Sequence, residues 1–427
     1  MLHQYKKMNN NFKMTGWAEG ANIYEVNIRQ YTHEGTFNAF ARHLPRLKDM
    51  GIKILWLMPV TPISSEKRQG TLGSYYACSS YTSINPEFGN MDDFKNLVAE
   101  AHASGMKIII DWVANHTGYD HPWTKEYPAY YIKDSEGNFT EENGWMDVID
   151  LDYTNSDLRN AMIASMKFWV EECDIDGFRC DMAHLVPLDF WKKARTICDA
   201  EKKLFWLAEC DEPEYLNVFD ITYAWNWMHI SEKLARGEAK LSAMMDVLHI
   251  YEAQKKAPCK LFFTANHDEN SWNGTEYEKY GAAVKAFAVF AATWPGMPLI
   301  YSGQELPNYK RLKFFDKDEL AWNNEKPALH EFYKTLFSLH RSNVSMQPGI
   351  NFFVLMQDNA GVFACISSNG KNKMLVLINF SSAGKKKIIL EHPLLKGTFK
   401  NIFSGITYHF TEIQSFELQE WEAIVYC

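Results

Sequence analysis

Strand-length apolar runs alternate with segments of helical spacing from residue 23 to about residue 340, and this alternation most limits the possible folds. The first run is Ile23-Tyr24-Glu25-Val26-Asn27. Phe37, Phe40, Leu44 and Leu47 follow at helical spacing, with Gly51 where a C-terminal cap belongs. Lys53-Ile54-Leu55-Trp56-Leu57-Met58 is the second run, stopped by Pro59. Asn90, Asp92 and Asp93 then make an acidic helix start, Phe94, Leu97, Val98 and Ala101 a buried stripe, and Gly105 a stop. Lys107-Ile108-Ile109-Ile110-Asp111 is the third strand, and residues 157–171 form the helix after it. Further strands are expected at 176–181, 204–209, 218–223, 260–266 and 298–301. Alternation of this kind makes strands parallel, and eight units predict an α/β fold closed as a (β/α)8 TIM barrel. An open doubly wound sheet is disfavoured, because no GxGxxG follows the first strand.

The texture changes after Arg341. Short β-rich runs at 362–367, 374–380, 387–390 and 423–426 are separated by Gly, Asn and Ser, without helical period. Two domains are therefore expected: a catalytic barrel over 1–343 and a C-terminal antiparallel β-sandwich over 344–427. The barrel is interrupted once at length, at 118–149, between the third strand and the helix after it. Loops of that size in a compact domain are usually functional.

Composition removes several classes of function. Forty-four Lys and Arg against 53 Asp and Glu leave a net charge of −9, which gives no support to a nucleic-acid partner. The longest apolar stretch, Ala282 to Ala292, is too short to span a membrane. Aromatic residues make up 15% of the chain, enough either for a large core or for rings lining a sugar groove. The eight cysteines (78, 173, 180, 198, 210, 259, 365 and 427) show no zinc-like spacing. Free thiols and the absence of an apolar leader in the first residues predict a cytoplasmic protein, or a secreted or periplasmic one if a signal peptide has been removed. A monomer is expected.

Barrels place their chemistry at the carboxyl ends of the strands. Here those ends read Asp111-Trp112-Val113-Ala114-Asn115-His116, Arg179-Cys180-Asp181, Glu209 and Asn266-His267-Asp268. A single strand-end Asp often only caps the next helix. Several acids converging with an arginine and two histidines on one mouth suit glycoside hydrolysis, which needs one carboxylate as nucleophile or ion stabiliser and one as proton donor.

The segments DWVANH, DGFRCD, the strand ending in Glu209, and TANHD, in this order, resemble the four signature regions of the α-amylase family of glycoside hydrolases. Gly73-Ser74-Tyr75-Tyr76 and Ile149-Asp150-Leu151-Asp152 extend the likeness, which covers essentially the whole chain. The resemblance implies that Asp181 is the nucleophile, Glu209 the general acid/base and Asp268 the third carboxylate, holding sugar hydroxyls. It makes Arg179 the partner of Asp181, His116 and His267 hydrogen-bonding residues around the reacting sugar, and Tyr76 the platform beneath it. Asp111 matches a structural carboxylate at the barrel mouth. No cofactor is required for the chemistry. A structural calcium is implied at Asn115 and Asp150, with the Leu185 carbonyl as a third ligand, and hard oxygen donors suit that ion.

The implied activity is retaining, endo-acting hydrolysis of α-1,4-glucosidic bonds in starch, maltodextrins or related α-glucans. Some positions depart from the family pattern. His184 and Leu185 stand where many amylases have Lys-His, and Ala183 is found in neopullulanase-like members. A neopullulanase, cyclomaltodextrinase or glucanotransferase activity therefore stays open, as does, more remotely, a non-catalytic carbohydrate-binding relative.

Overall fold

The structure, a computed structural model, describes residues 12–254, 260–322, 326–342, 351–355, 360–370 and 372–427. The expected boundary between 343 and 344 lies outside these described residues, as does Cys259. Eight strands form one closed barrel: β1 (Ile23–Val26), β2 (Ile54–Leu57), β3 (Lys107–Trp112), β4 (Gly177–Cys180), β5 (Phe205–Ala208), β6 (Ile221–Tyr223), β7 (Lys260–Phe262) and β8 (Met297–Tyr301). Each strand neighbours the next in sequence, as the alternation predicts. The described residues also divide into two compact units, one built on Ile23–Tyr223 and Leu312–Trp322, the other on Ala224–Arg311 and Asn323–Cys427.

In the first unit β1 to β6 pair in parallel, in a register that sets Ile23 beside Ile54, Ile109 beside Gly177, and Gly177 beside Phe205. All residues of β1, β2, β4 and β5 are buried, which is why β2 and β5 read as continuous apolar runs, while β1 and β4 each bury one charge, Glu25 and Arg179. The expected helix over Phe37, Phe40, Leu44 and Leu47 is two helices, Phe37–Ala41 and Leu44–Met50. Pro45 has no N–H to give the earlier turn, so the chain restarts there with Pro in the first turn. Gly51 caps the second at φ 89°, as its position implies. Asn90 starts Met91–Ala103 with a capping box closed by Asp93. The helix after β3 runs Ser156–Cys173, slightly longer than expected at each end. Within the long interruption, His116–Gly118 and Val148–Asp150 pair antiparallel and tie the loop's ends together.

In the second unit β7 pairs parallel with β8. The seventh strand stops at Phe262, short of the expected 266. The C-terminal part is antiparallel: Asn351–Val354, Val362–Asn369, Asn372–Asn379 and Ala423–Tyr426 make a four-stranded sheet, and two two-stranded sheets accompany it. Val362, Ala364, Leu375 and Leu377 from the large sheet share one core with Ile388, Leu390, Phe399 and Leu418 from the small ones. Among the described residues, seven cysteines are free thiols and no helix is long and apolar enough to cross a membrane.

Candidate active site

The register of β3, β4 and β5 assembles the acids. Asp111 sits opposite Arg179 across the β3–β4 pair. Asp181, two residues beyond Arg179, projects on the same side, because strand side chains repeat with period two. Glu209 extends β5 by one residue, its N–H bonded to the Cys180 carbonyl at 3.0 Å. Arg179 joins all three. Its Nη1 donates to Asp111 Oδ1 and to Asp181 Oδ1, both at 2.8 Å. Its Nη2 lies 2.7 Å from Glu209 Oε2, as an ion pair rather than an aligned hydrogen bond. Nε donates to the Tyr223 hydroxyl at 3.2 Å.

These groups are dry. The Arg179 and Asp111 side chains are fully buried, and Asp181 and Glu209 keep 8% and 7% exposure. That small opening matters: both acids keep a contact with solvent, while their cation does not. Burial alone would lower the Arg179 pKa, but Asp111 and Glu209 outweigh it and hold the guanidinium well above its ordinary value. One cation serves three carboxylates, so with all three ionised the cluster carries two net negative charges. Such a field favours a positive charge developing beside it.

The residue after Asp181 is conformationally unusual. Met182 has φ 39° and ψ 46°, a left-handed geometry that is costly for a side chain without a local hydrogen bond. It places the Met182 N–H on Glu209 Oε2 at 2.9 Å. Strain held at such a position is common where a site is over-determined by its surroundings.

Tyr76 also belongs to this cluster. Its hydroxyl donates to Asp111 Oδ2 at 3.0 Å, beside the Trp56 indole at 3.2 Å on the same oxygen. The partly exposed Tyr76 ring lies nearly parallel to Phe314, 6.3 Å between centroids. His116 is buried, edge-on to Trp145, and burial pushes its pKa down to about 4 despite a bond to the Tyr76 carbonyl. His267 and Asp268, in the second unit, follow β7; His267 is buried, and its Nε2 is 3.3 Å from Asp268 Oδ2, whose side chain is 39% exposed. Sequence reasoning missed Trp56, Tyr223 and Phe314. Tyr223 ends its strand and could have been weighed there; Trp56 and Phe314 carry no signal that separates them from core.

Asn115 and Asp150 do meet, through a long contact of 3.4 Å from Asn115 Nδ2 to Asp150 Oδ1. Burial pushes the Asp150 carboxyl up, the Glu142 N–H pulls it down, and the charges of Glu141 and Glu142 push it up further. A buried acid crowded by two others is a donor set that a hard cation would relieve.

Comparison with known proteins agrees with this chemistry. The family model described as the alpha amylase catalytic domain matches residues 8–141 and 128–331. A noncanonic maltogenic alpha-amylase, AmyB, from Thermotoga neapolitana superposes with a TM-score of 0.88 at 30% identity, covering 96% of this chain and 99% of that one. An alpha-amylase from Lactobacillus plantarum gives 0.86 at 27%, with the same coverage. Alpha-amylase MalA of Haloarcula japonica is 25% identical over 390 residues, 86% of this chain; the chain spans only 56% of that relative's length.

Proposed function

The chain belongs to the α-amylase family of glycoside hydrolases, and from that premise we propose that it is a retaining, endo-acting enzyme cleaving α-1,4-glucosidic bonds in α-glucans. The observation that carries this reading is the buried Arg179 bridging Asp181 and Glu209 at adjoining strand ends. Asp181, held through Oδ1 by the guanidinium, attacks the anomeric carbon as an anion. Glu209 donates its proton to the leaving oxygen, then takes one from water in the second step. The C–O bond to the leaving sugar breaks as the Asp181 ester forms, and water later returns the carboxylate. Asp268 holds sugar hydroxyls, Tyr76 supports the ring from below, and His116 and His267 contribute hydrogen bonds around the reacting sugar. Asp111 takes no part in bond changes; it anchors Arg179 and Tyr76.

The first product should therefore appear as the α anomer in time-resolved NMR. Initial release of the β anomer would end the retaining reading. Ala183, buried directly after Met182, favours a second reading with neopullulanase-like or maltose-releasing action, as the Thermotoga relative's name also suggests. A product profile on amylose, pullulan and cyclodextrins separates the two. No step runs through a metal. Asn115 and Asp150, with the Leu185 carbonyl, would hold a calcium that stabilises the 118–149 loop. Chelation should then lower the melting temperature and added calcium restore it, whereas an unmoved melting curve would remove the ion.

A further inference from the structure

The segment that carries His267 and Asp268 leaves β7, turns through Glu269–Asn273 and ends in a short helix, Glu276–Tyr280. Its far end comes back to its beginning. Glu276, only 3% exposed, receives on one oxygen, Oε1, both the Thr264 hydroxyl and the Gln304 amide, the latter at 2.7 Å. Gln304 Nε2 also donates to Thr264 Oγ1 at 3.1 Å, and Gln304 Oε1 accepts the Tyr301 N–H at 2.7 Å. Thr264 lies two residues past β7 and two before Asn266; Tyr301 ends β8. One carboxyl thus ties the departure point of the segment to its return point and to the neighbouring strand end.

A second closure lies inside the first. Glu269 is paired with Lys279 and accepts the Asn273 amide at 2.9 Å, while Asn266 Oδ1 accepts the Glu269 N–H at 2.8 Å. Asp268 sits between the two. A closure needed only for folding could be made by a neutral amide at lower cost, because a carboxylate in a dry site is expensive to ionise. Glu276 Oε2 has no hydrogen-bond partner among the described residues, which makes the choice of an acid here more pointed.

We propose that Glu276 is a positioning residue for Asp268, acting on the reaction through the Thr264–Asp268 segment without touching substrate. The inference rests on the reading of Asp268 as a sugar-holding carboxylate. Burial pushes the Glu276 carboxyl up to about 7, against the pull of Thr264, Gln304 and Lys279. The titratable groups that face it are Lys279, Tyr277 and Tyr280 of its own helix, and Tyr333 from the helix His330–Ser342. As it ionises, the bonds from Thr264 and Gln304 become charge-assisted while burial opposes the charge, so the hold on the segment changes across neutral pH.

Steady-state kinetics on a maltooligosaccharide of defined length tests this. Glu276→Ala should lower kcat by about 10- to 100-fold, the usual cost of a slight misplacement, with KM changed far less. Glu276→Gln, which keeps an acceptor for Thr264 and Gln304, should recover most of kcat. It should also lose the part of the wild-type kcat profile that changes across neutrality. If Glu276→Ala does not fold, Thr264→Val carries the same expectation for kcat. A kcat near the wild-type value in the folded variant, or parallel pH profiles for wild type and Glu276→Gln, overturns the proposal. An inactive wild type, or a fully active Asp268→Asn, removes instead the parent reading.

Discussion

Arg179 organises the acids at the level of single side chains. Its guanidinium reaches Asp111, Asp181 and Glu209 at once, so the two acids assigned to chemistry share a cation yet differ in what else holds them. Asp181→Asn should leave the fold intact and remove activity by several orders of magnitude, since an amide cannot form the glycosyl ester. Glu209→Gln should cost about 10²–10⁴-fold on starch, the worth of a general acid. An α-glycosyl fluoride, whose leaving group needs little protonation, should keep much of its first-step rate. Equal loss on both substrates would remove Glu209 as the acid. That these two acids meet beside Arg179 was legible in the sequence, because strand-end position and motif agree on their place. Trp56 was not: an indole inside an apolar strand reads as core whether or not its N–H reaches an Asp, and only the register that brings β2 beside β3 decides it.

Elements follow the sequence where a local rule acts alone. The Asn90 cap and the Gly51 stop were legible because each meets a need of its own helix end. The split at Pro45 was not, since the apolar spacing runs on through it. Nor were Gly397–Lys400 and Thr407–Phe410, whose outward residues are polar and exposed and whose inward faces are one or two rings. Between strands the tightest constraint falls on Gly177, the first residue of β4. A Cβ there would lie 2.1 Å from the Phe205 carbonyl oxygen, which is backbone and cannot swing away. Gly177→Ala should therefore push β5 from β4 and destabilise by about 1–3 kcal/mol or more, measured by urea unfolding. Because Arg179 and Glu209 stand on these two strands, activity should fall with it even below the unfolding transition. Wild-type stability in the alanine variant would show that the two strands do not lie this close.

At the scale of the molecule, buried titratable groups set how stability follows pH. Burial pushes His116, His121 and His340 each down to about 4 from an ordinary 6.5. His121 accepts the Trp123 N–H on Nδ1, so protonating that nitrogen would also break a bond. As pH falls below 6.5 the unfolded chain takes up these protons and the folded chain does not, and stability drops until about pH 4. Glu276 works in the opposite sense: it keeps its proton in the folded chain up to about 7, while the unfolded chain loses it near 4.5, so its share of stability falls as pH rises through that window. Between 4.5 and 6.5 these three imidazoles act against the Glu276 carboxyl, and through these four groups unfolding should take up about two protons. The melting temperature should accordingly climb with pH across this range. Glu276→Gln should steepen the climb by removing an opposing group, an effect of up to about 3 kcal/mol by the upper end of the window, and should do so whatever its effect on kcat. A melting temperature that fell between these pH values would mean that the buried histidines take up their protons without unfolding.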